Sequence, residues 1–310
     1  MSNPFIIAKR FISDPTWRFR YKCAAGVYNK MPDEEFLKLK FKYLMGKDLD
    51  LENPQTFNEK LQWLKLNDRK PIYTTMVDKA EAKKYVAGII GEEHIIPTYG
   101  VWERFDDIDF DALPNEFVLK CTHDCGGLVI VRDKSKLDKT AAKKKITKCL
   151  KRNYYLTGRE WPYKNVKPRI LAEKYMEDEE TRDLRDYKIF TFGGVPKALF
   201  IATDRESQNE TKFDFFDTEF KHLPIKNGHP NADSMPKKPK TFDQMLSLAS
   251  ELSKNIPHLR VDFYEVNGQT YFGELTFSHW SGFVPFDPPE WDKKFGEWLI
   301  LPDDCGGGTT

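Results

Sequence analysis

Two acidic residues near the C-terminus, twelve positions apart, could hold a hard cation. Asp262 and Glu274 lie on two predicted strands that flank Asn267-Gly268, and carboxylates are ligands that Mg²⁺ favours. A two-residue turn at Asn267-Gly268 would leave the acids on opposite faces of the sheet, because successive side chains on a strand alternate. They share a face if the connection has odd parity, for example a three-residue loop with Gly268 left-handed in a bulge. A shared metal site therefore predicts a bulge or an odd loop here.

A second candidate site combines a lysine with a pair of glycines. Lys120 lies near the end of a predicted strand at 117–122, and Gly126-Gly127 precede a returning strand at 128–131. Glycines let a loop backbone approach a phosphate, whose charge can be held by backbone N–H groups and a lysine. The loop joins two strands and opens no helix, so it differs from a Walker loop and a dinucleotide fingerprint. Taken alone, the segment favours a hairpin with a structural Gly-Gly turn over a phosphate-binding loop.

A third candidate is the end of a predicted strand that begins at Ile170, namely Glu173-Lys174-Tyr175-Met176. Such an end could offer backbone and carboxylate hydrogen bonds to a flat base. The alternative interpretation is an ordinary sheet strand with a solvated end.

The cysteines argue against a disulfide framework. There are five in 310 residues, an odd and low number, which favours a reducing cytoplasm. Cys121, His123 and Cys125 are close in sequence, but a structural zinc site usually has two spaced pairs of ligands and no second pair exists. We interpret them as residues of a strand and loop, with zinc as the weaker option.

The elements that position these residues alternate between helices and antiparallel strands. Residues 32–90 are predicted to be helical, with a capping box at Thr56-Phe-Asn-Glu59. Further helices are predicted at 138–152 and from 241, and paired strands fill the remaining segments. Antiparallel strands mixed with helices indicate an α+β chain, and the missing βαβ alternation excludes a doubly wound fold.

Composition narrows the possible partners. A net charge of +1 argues against nucleic-acid binding, while 31% charged residues and a mean hydropathy of −0.63 argue against a membrane-spanning protein. Residues 1–30 are different, with six basic residues, one acid and several aromatics. A packed, solvated helix explains this segment, and the sharper hypothesis is a peripheral contact with the anionic inner face of a membrane.

In order and number, these motifs resemble those of the ATP-grasp enzymes. That pattern has a lysine before a glycine-rich hairpin, a Glu-centred adenine strand and a C-terminal metal motif, to which the step from Asp262 to Glu274 is similar. Asp78-Lys79 is similar to the lysine at the start of the pattern. Finer details resemble the TupA-like branch, which is linked to teichuronopeptide and other cell-surface polysaccharide synthesis, and they lie at 56–63, 186–190 and 272–277.

The resemblance implies a fold in which two α+β lobes, built from antiparallel sheets with helices, clasp ATP. A mainly helical N-terminal region would replace the usual Rossmann-like domain. The predicted divisions are 1–110 for this helical region, 111–180 for the small lobe with the glycine-rich hairpin, and 181–310 for the C-terminal lobe with the metal site.

The resemblance also implies roles for individual residues. The ATP phosphates would be held by Lys79, Lys120 and Lys188 beneath a lid of Gly126 and Gly127. Adenine would be held by Glu173, Lys174, Tyr175 and Met176. Mg²⁺ would be bound by Asp262 and Glu274. The family's usual third metal ligand is replaced here by Thr276, which leaves the number of ions open.

The expected catalytic residues combine these lysines with groups beyond the metal acids: Lys120, Lys188, Arg260, His279 and Ser281. Arg260, His279 and Ser281 are expected to face the carboxylate or its acyl phosphate. In the alternative, His279 caps a turn while Trp280 and Phe283 pack in the core.

The implied activity is that of an ATP- and Mg²⁺-dependent, ADP-forming carboxylate–amine ligase. ATP would phosphorylate a carboxylate on a small molecule or glycan, and an amine would displace the phosphate. Joining a uronic acid or an amino sugar to an amino acid fits the family's context. Two alternatives remain open: a sugar or glycan kinase on the same fold, and a non-catalytic glycan- or nucleotide-binding accessory protein.

Overall fold

The computed structural model describes residues 10–124, 126–180, 184–203 and 210–302. Its first part is helical, with helices α1 (Pro15–Ala24), α2 (Asp33–Met45), α3 (Phe57–Asn67), α4 (Ile72–Val77) and α5 (Glu81–Ile90). The predicted capping box starts α3, because Thr56 accepts from the backbone of Glu59 and the Glu59 side chain accepts in return. Among the described residues, no helix is both long and apolar enough to cross a membrane.

A four-stranded antiparallel sheet follows, in the order β1-β4-β2-β3. Its strands are β1 (Thr98–Trp102), β2 (Phe117–Cys121), β3 (Leu128–Val131) and β4 (Ile170–Lys174). Helix α6 (Lys139–Leu150) buries Ala142 and Ile146 against one face of this sheet. The other face carries Lys120 and Glu173. Strand β1 belongs to this sheet, although it lies within residues 1–110, which were predicted to be mainly helical.

A six-stranded antiparallel sheet forms the second half, in the order β10-β9-β5-β6-β7-β8. Its strands are β5 (Asp186–Phe192), β6 (Val195–Thr203), β7 (Lys212–Phe216), β8 (His222–Leu223), β9 (His258–Val266) and β10 (Gln269–Thr276). Helix α7 (Tyr155–Gly158) precedes this sheet in the chain, helix α8 (Phe242–Leu252) lies between β8 and β9, and helix α9 (Glu290–Trp298) follows β10.

The six-stranded sheet is covered on both faces. Helices α5 and α8 pack on one face in an apolar cluster with Ile189, Leu199 and Val261. Helices α3 and α9 cover part of the other face through Phe57 and Phe295. The uncovered part of that second face holds the acidic residues singled out above. Two antiparallel sheets with packed helices confirm the predicted α+β class.

The prediction of a bulge or an odd loop between Asp262 and Glu274 is confirmed by a bulge, although the β9–β10 turn itself has two residues. Asn267 and Gly268 form a two-residue turn with φ of 52° and 76°, since Val266 pairs directly with Gln269. The register shifts between Phe272 and Glu274, and Glu274 consequently pairs with Asp262. Gly273 is the extra residue of this bulge. A Cβ there would lie 3.0 Å from the carbonyl oxygen of Asp262, which explains why the position is glycine.

Candidate active site

One nitrogen of Arg260 marks the point where the predicted metal ligands meet. Its Nη2 donates to Asp262 Oδ2 at 2.7 Å, to Thr276 Oγ1 at 3.0 Å and to Glu274 Oε1 at 3.3 Å. The three side chains come from facing positions on β9 and β10, which the Gly273 bulge brings to the same face. The structure therefore brings Asp262, Glu274 and Thr276 together around a single positive charge.

Asp262 is engaged on both carboxylate oxygens. Arg260 Nε donates to Oδ1 at 2.7 Å, and Lys188 on the neighbouring strand β5 forms a buried ion pair with Oδ2. Lys188 Nζ also lies 3.1 Å from Asp186 Oδ2. Asp186 is a third carboxylate that the sequence prediction missed. Its signal was its position two residues before Lys188, because alternate residues on a strand share a face.

Glu274 is the most accessible of these acids, with 35% of its side chain exposed, and its Oε2 lies 3.9 Å from Lys79 Nζ. Burial opposes its ionisation, but the charges on Lys79, Lys188 and Arg260 outweigh burial and lower its pKa to about 2. The Lys79 amide in turn donates to the carbonyl of Thr122, just beyond β2. Lys79 therefore contacts both sheets.

Glu173 is the centre of a second charged cluster, on the four-stranded sheet. It forms ion pairs with Lys120 on β2 and, at 2.8 Å, with Lys83 on α5. Lys83 Nζ also donates to the carbonyl of Ile96 at 2.7 Å. Burial opposes ionisation of Glu173, but the two lysines lower its pKa to about 2. Lys83 was missed by the sequence prediction.

The residues after Glu173 take different positions. Lys174 is exposed, and the Tyr175 hydroxyl donates to Glu177 at 2.8 Å. Met176 is buried with Ile96 and Val266, where the chain passes from one sheet to the other. These side chains do not form one cluster, so the predicted adenine contact stays a prediction.

The glycine-rich hairpin is packed closely from below. A Cβ on Gly127 would lie 2.3 Å from Cys121 Sγ, and one on Gly126 would lie 2.7 Å from a nitrogen of Arg152. Gly127 is therefore required by close packing, whatever ligand the loop binds, whereas the half-exposed Arg152 side chain could move away from a Cβ on Gly126. Cys125, the third residue of the weaker zinc interpretation, lies outside the described residues.

His279 is buried behind Arg260. Asn227 Nδ2 donates to the carbonyls of Val284 and Pro285, which leaves Asn227 Oδ1 as the acceptor of the proton on His279 Nε2, 2.8 Å away. His279 Nδ1 then accepts from Arg260 Nη1 at 2.8 Å. Burial, and then the charge of Arg260, hold the pKa of His279 well below its ordinary value. A neutral His279 orients Arg260, and no polar atom of its ring is left to face a substrate.

The turn after His279 has a strained backbone and accepts hydrogen bonds from side chains of helix α3. Trp280, Ser281 and Gly282 have φ of 49°, 56° and 66°, a region that non-glycine residues rarely adopt. The fully buried Lys65 ammonium donates to the Ser281 carbonyl at 2.7 Å and to its hydroxyl at 3.0 Å. Gln62 Nε2 donates to the Gly282 carbonyl at 2.9 Å. Ser281 is thus held by α3, and strain of this kind concentrates at functional sites.

Lys65 was also missed by the sequence prediction. Its signal was a lysine four residues after Leu61, on the side of α3 that the apolar stripe buries.

The sequence matches one family model, and the chain is similar to several solved structures. A sequence model of the TupA-like ATP-grasp family matches residues 59–300. Among solved structures, the chain resembles the D-alanine–D-alanine ligase from Bacillus anthracis in complex with ATP, with 18% identity and a TM-score of 0.38 over 66% of this chain and 55% of that one. The chain thus spans little more than half the length of that ligase.

Two further structures are similar at the same level. The D-alanine–D-alanine ligase from Helicobacter pylori has 12% identity and a TM-score of 0.40, with 79% of this chain and 69% of that one covered. The D-cycloserine synthetase DcsG has 16% identity and a TM-score of 0.40, with 74% and 72% covered. No curated protein matches the sequence. The family match confirms the predicted ATP-grasp fold, and the chain belongs to the TupA-like ATP-grasp family.

Proposed function

We propose that this protein is an ATP- and Mg²⁺-dependent, ADP-forming carboxylate–amine ligase that modifies a cell-surface polysaccharide or its precursor. Its acceptor would be a uronic acid or an amino sugar on a small molecule or glycan, and its second substrate an amino acid. Family membership supports the ATP-dependent part of this proposal. The acceptor is inferred from the family's context and from the surface described below.

The observation that carries the proposal is the convergence on Arg260 Nη2. A guanidinium nitrogen stands where three oxygen ligands meet, and oxygen ligands of this kind suit Mg²⁺. Asp262 and Glu274 would hold the ion, with Thr276 as a neutral oxygen donor. Mg²⁺ would offset phosphate charge, and it would compete with Arg260 for these oxygens.

The remaining cations supply charge for a polyanionic substrate. Lys79, Lys188 and Arg260 contact the acids on the six-stranded sheet, while Lys120 and Lys83 form ion pairs with Glu173 on the four-stranded sheet. Such fixed charges lower a barrier by stabilising charge that develops during phosphoryl transfer. Positioning and neutralisation would account for most of the catalysis, with no covalent bond to the protein.

An aromatic ledge formed by Trp280, Phe213 and His229 supports a sugar acceptor. Trp280 is 40% exposed, and its indole stacks on Phe213 with ring centroids 6.1 Å apart and lies 5.8 Å from the His229 ring. Gly228 backs the indole, since a Cβ there would lie 3.0 Å from three of its atoms. A rigid, half-exposed indole beside polar groups offers a flat apolar face, which suits the C–H face of a sugar ring.

The ledge lies on the same face of the sheet as the acids. Phe213 on β7 pairs with Ala202 on β6, which pairs with Asp186 on β5. Directly opposed residues of neighbouring strands share a face, so Phe213 and Asp186 lie two strand spacings apart, about 10 Å. A sugar stacked on Trp280 could therefore extend toward Asp186, while Asp262 on β9 and Glu274 on β10 lie one and two strands further across the sheet.

An ADP-release screen tests the proposal. The purified protein is incubated with Mg²⁺ and ATP and with uronic acids crossed with amino acids. We expect ADP release that requires both a carboxylate and an amine, and release of AMP would refute the ligase.

The same screen separates the alternatives. A stable phosphorylated product that forms without any amine would indicate a sugar kinase. An accessory protein would keep its function when Lys120→Ala and Glu274→Ala are combined.

We further propose that the basic N-terminal segment contacts an anionic membrane surface. Residues 1–9 lie outside the described residues. In α1 and the residues before it, Trp17 stacks on Tyr21 at 5.4 Å, Arg10 lies over the Trp17 ring, and Arg20 and Tyr21 are exposed. An exposed tyrosine and a partly buried tryptophan interleaved with arginines favour an anionic interface.

Sedimentation with vesicles tests the membrane contact. We expect the protein to bind phosphatidylglycerol vesicles and not phosphatidylcholine vesicles, and Arg10→Glu with Arg20→Glu to abolish binding. Sedimentation that is unaffected by this double substitution would dismiss the contact.

A further inference from the structure

Three side chains that can bind metals meet beneath the glycine-rich hairpin, away from the acids of the candidate active site. His123 and Asp124 follow β2, and Cys149 lies on α6. All three are buried, and one ligand atom from each lies within 4.8 Å of the other two. The sequence had suggested no second group of ligands for Cys121 and His123, but the fold brings Cys149 to them from a distant helix.

The hydrogen bonds of His123 leave one ring nitrogen available. Its Nε2 lies 3.2 Å from the carbonyl oxygen of Arg152, which accepts only from a protonated nitrogen. Nδ1 then carries the lone pair, and it is buried without a hydrogen-bond partner within the described part of the chain. Metal-binding histidines show this arrangement, in which the second nitrogen donates to a backbone carbonyl.

Asp124 is also oriented by hydrogen bonds, which its two carboxylate oxygens accept. Its Oδ1 accepts from the Gly126 amide at 2.9 Å, and its Oδ2 accepts from the Cys149 thiol at 3.4 Å. The Arg152 guanidinium lies 3.3 Å from Oδ2, but its side chain is half exposed and can turn to solvent. Burial, and then the neighbouring Cys121 thiol, raise the pKa of the Cys149 thiol, so a metal ion would have to displace its proton.

We propose that His123 Nδ1, Asp124 Oδ2 and Cys149 Sγ bind a zinc ion. Nitrogen, oxygen and thiolate ligands together suit Zn²⁺ better than hard cations such as Mg²⁺. The fourth position is left for water or for Cys121. The Cys121 and Cys149 sulfurs border the same space, since a Cβ on Gly127 would lie 2.3 Å from one and 2.7 Å from the other.

The ion would fasten α6 to the hairpin that precedes β3. Cys121 donates its amide to the Gly127 carbonyl at 2.9 Å, and Thr122 accepts from the Lys79 amide at 3.1 Å. A zinc ion at this point would therefore stiffen the glycine-rich loop and the base of the segment that carries Lys79. This role is structural and does not depend on the proposed reaction.

Cobalt substitution of the full-length protein tests the site. Metal-free protein is titrated with Co²⁺ while absorption is recorded in the thiolate-to-cobalt charge-transfer region. We expect one Co²⁺ per chain with a thiolate band, displacement of Co²⁺ by Zn²⁺, and one zinc per chain by elemental analysis after growth with zinc.

Matched variants locate the ligands. Cys149→Ser should abolish the thiolate band if water is the fourth ligand, or reduce it to about half if Cys121 is. Cys23→Ser, which changes a thiol in α1, should leave the band unchanged. Asp124→Asn keeps the side-chain shape and should weaken Co²⁺ binding at least tenfold, so it decides the question if Cys149→Ser does not fold. A wild-type protein without a thiolate band, or a band that persists at full strength in Cys149→Ser or Asp124→Asn, would overturn the proposal.

Discussion

Glu173 on the four-stranded sheet and Glu274 on the six-stranded sheet are both held ionised by neighbouring cations, but their surroundings differ. Only 5% of the Glu173 side chain is exposed, and Lys120 and Lys83 both contact it. The Glu274 side chain is 35% exposed, and its contacts with Lys79 and Arg260 are longer, at 3.9 and 3.3 Å. Glu173 is buried between two ion-pair partners, whereas the Glu274 carboxylate remains partly accessible to a ligand.

The contrast separates a structural acid from a ligand-binding acid. Loss of Glu173 would leave two mostly buried lysines without their common partner. Loss of Glu274 would leave Arg260 with Asp262 and Thr276 as acceptors. We therefore expect stability to depend on the first acid and the binding of Mg²⁺–ATP to depend on the second.

The largest effect is expected from Glu173→Ala. Removing one partner of a buried ion pair typically costs about 3–5 kcal/mol of unfolding free energy, because the remaining charge is uncompensated. Urea unfolding measures this loss. Glu103→Ala serves as the control, because it breaks an exposed ion pair with Lys167 and should change stability several times less. Equal small losses in both variants would contradict the structural role of Glu173.

Acid pH should weaken the contribution of Glu173 to the free energy of unfolding. The pKa of Glu173 is lowered from 4.5 to about 2 on folding. Its stabilisation is therefore fully present above about pH 4.5 and is lost as the pH falls toward 2, with a total of about 3 kcal/mol. The difference in unfolding free energy between the wild type and Glu173→Gln should narrow across this range. A difference that stays constant between pH 5 and pH 2.5 would show that Glu173 is not held ionised.

Glu274→Gln should weaken ligand binding and leave stability nearly unchanged, the opposite of the result expected for Glu173→Ala. We expect the affinity for ATP in the presence of Mg²⁺ to fall about 100-fold, because the loss of a metal ligand should match or exceed the loss of an outer-shell partner. The midpoint of urea unfolding should change little, since glutamine can still accept from Arg260. Calorimetric titration with and without Mg²⁺ measures the effect, and Glu251→Gln on the exposed side of α8 is the control. Mg²⁺-dependent binding that survives the substitution would contradict the predicted site.

Local sequence patterns predicted much of the secondary structure that positions these acids. The capping box at Thr56 predicted the start of α3, and strand patterns predicted most strands of both sheets, although not β1. The parity of the residues between Asp262 and Glu274 showed that one extra residue was needed if the acids shared a face. Parity could not locate that residue, since a bulge at Gly273 and an odd loop at Gly268 shift the register equally.

The partners of the site residues were harder to predict, because they come from distant segments. His279 is oriented by Asn227, which is 52 residues away, and Lys65 supports Ser281 across 216 residues. No spacing rule links such pairs before the fold is known, and the same holds for Lys83 on α5, whose partner Glu173 lies on the four-stranded sheet.

Among these substitutions, Thr276→Val should have the smallest effect on Mg²⁺–ATP binding. It tests how much Thr276 contributes to binding in addition to Glu274. The Thr276 hydroxyl accepts from Arg260 Nη2 at 3.0 Å and lies 3.5 Å from Glu274. It is uncharged, so its loss should weaken Mg²⁺–ATP binding about tenfold, in the lower part of the range for metal-site partners. Thr276→Ser keeps the oxygen and should restore binding in the same titration. A loss in Thr276→Val as large as in Glu274→Gln would mean that Thr276 acts by positioning Arg260, because a neutral ligand cannot contribute as much as a carboxylate.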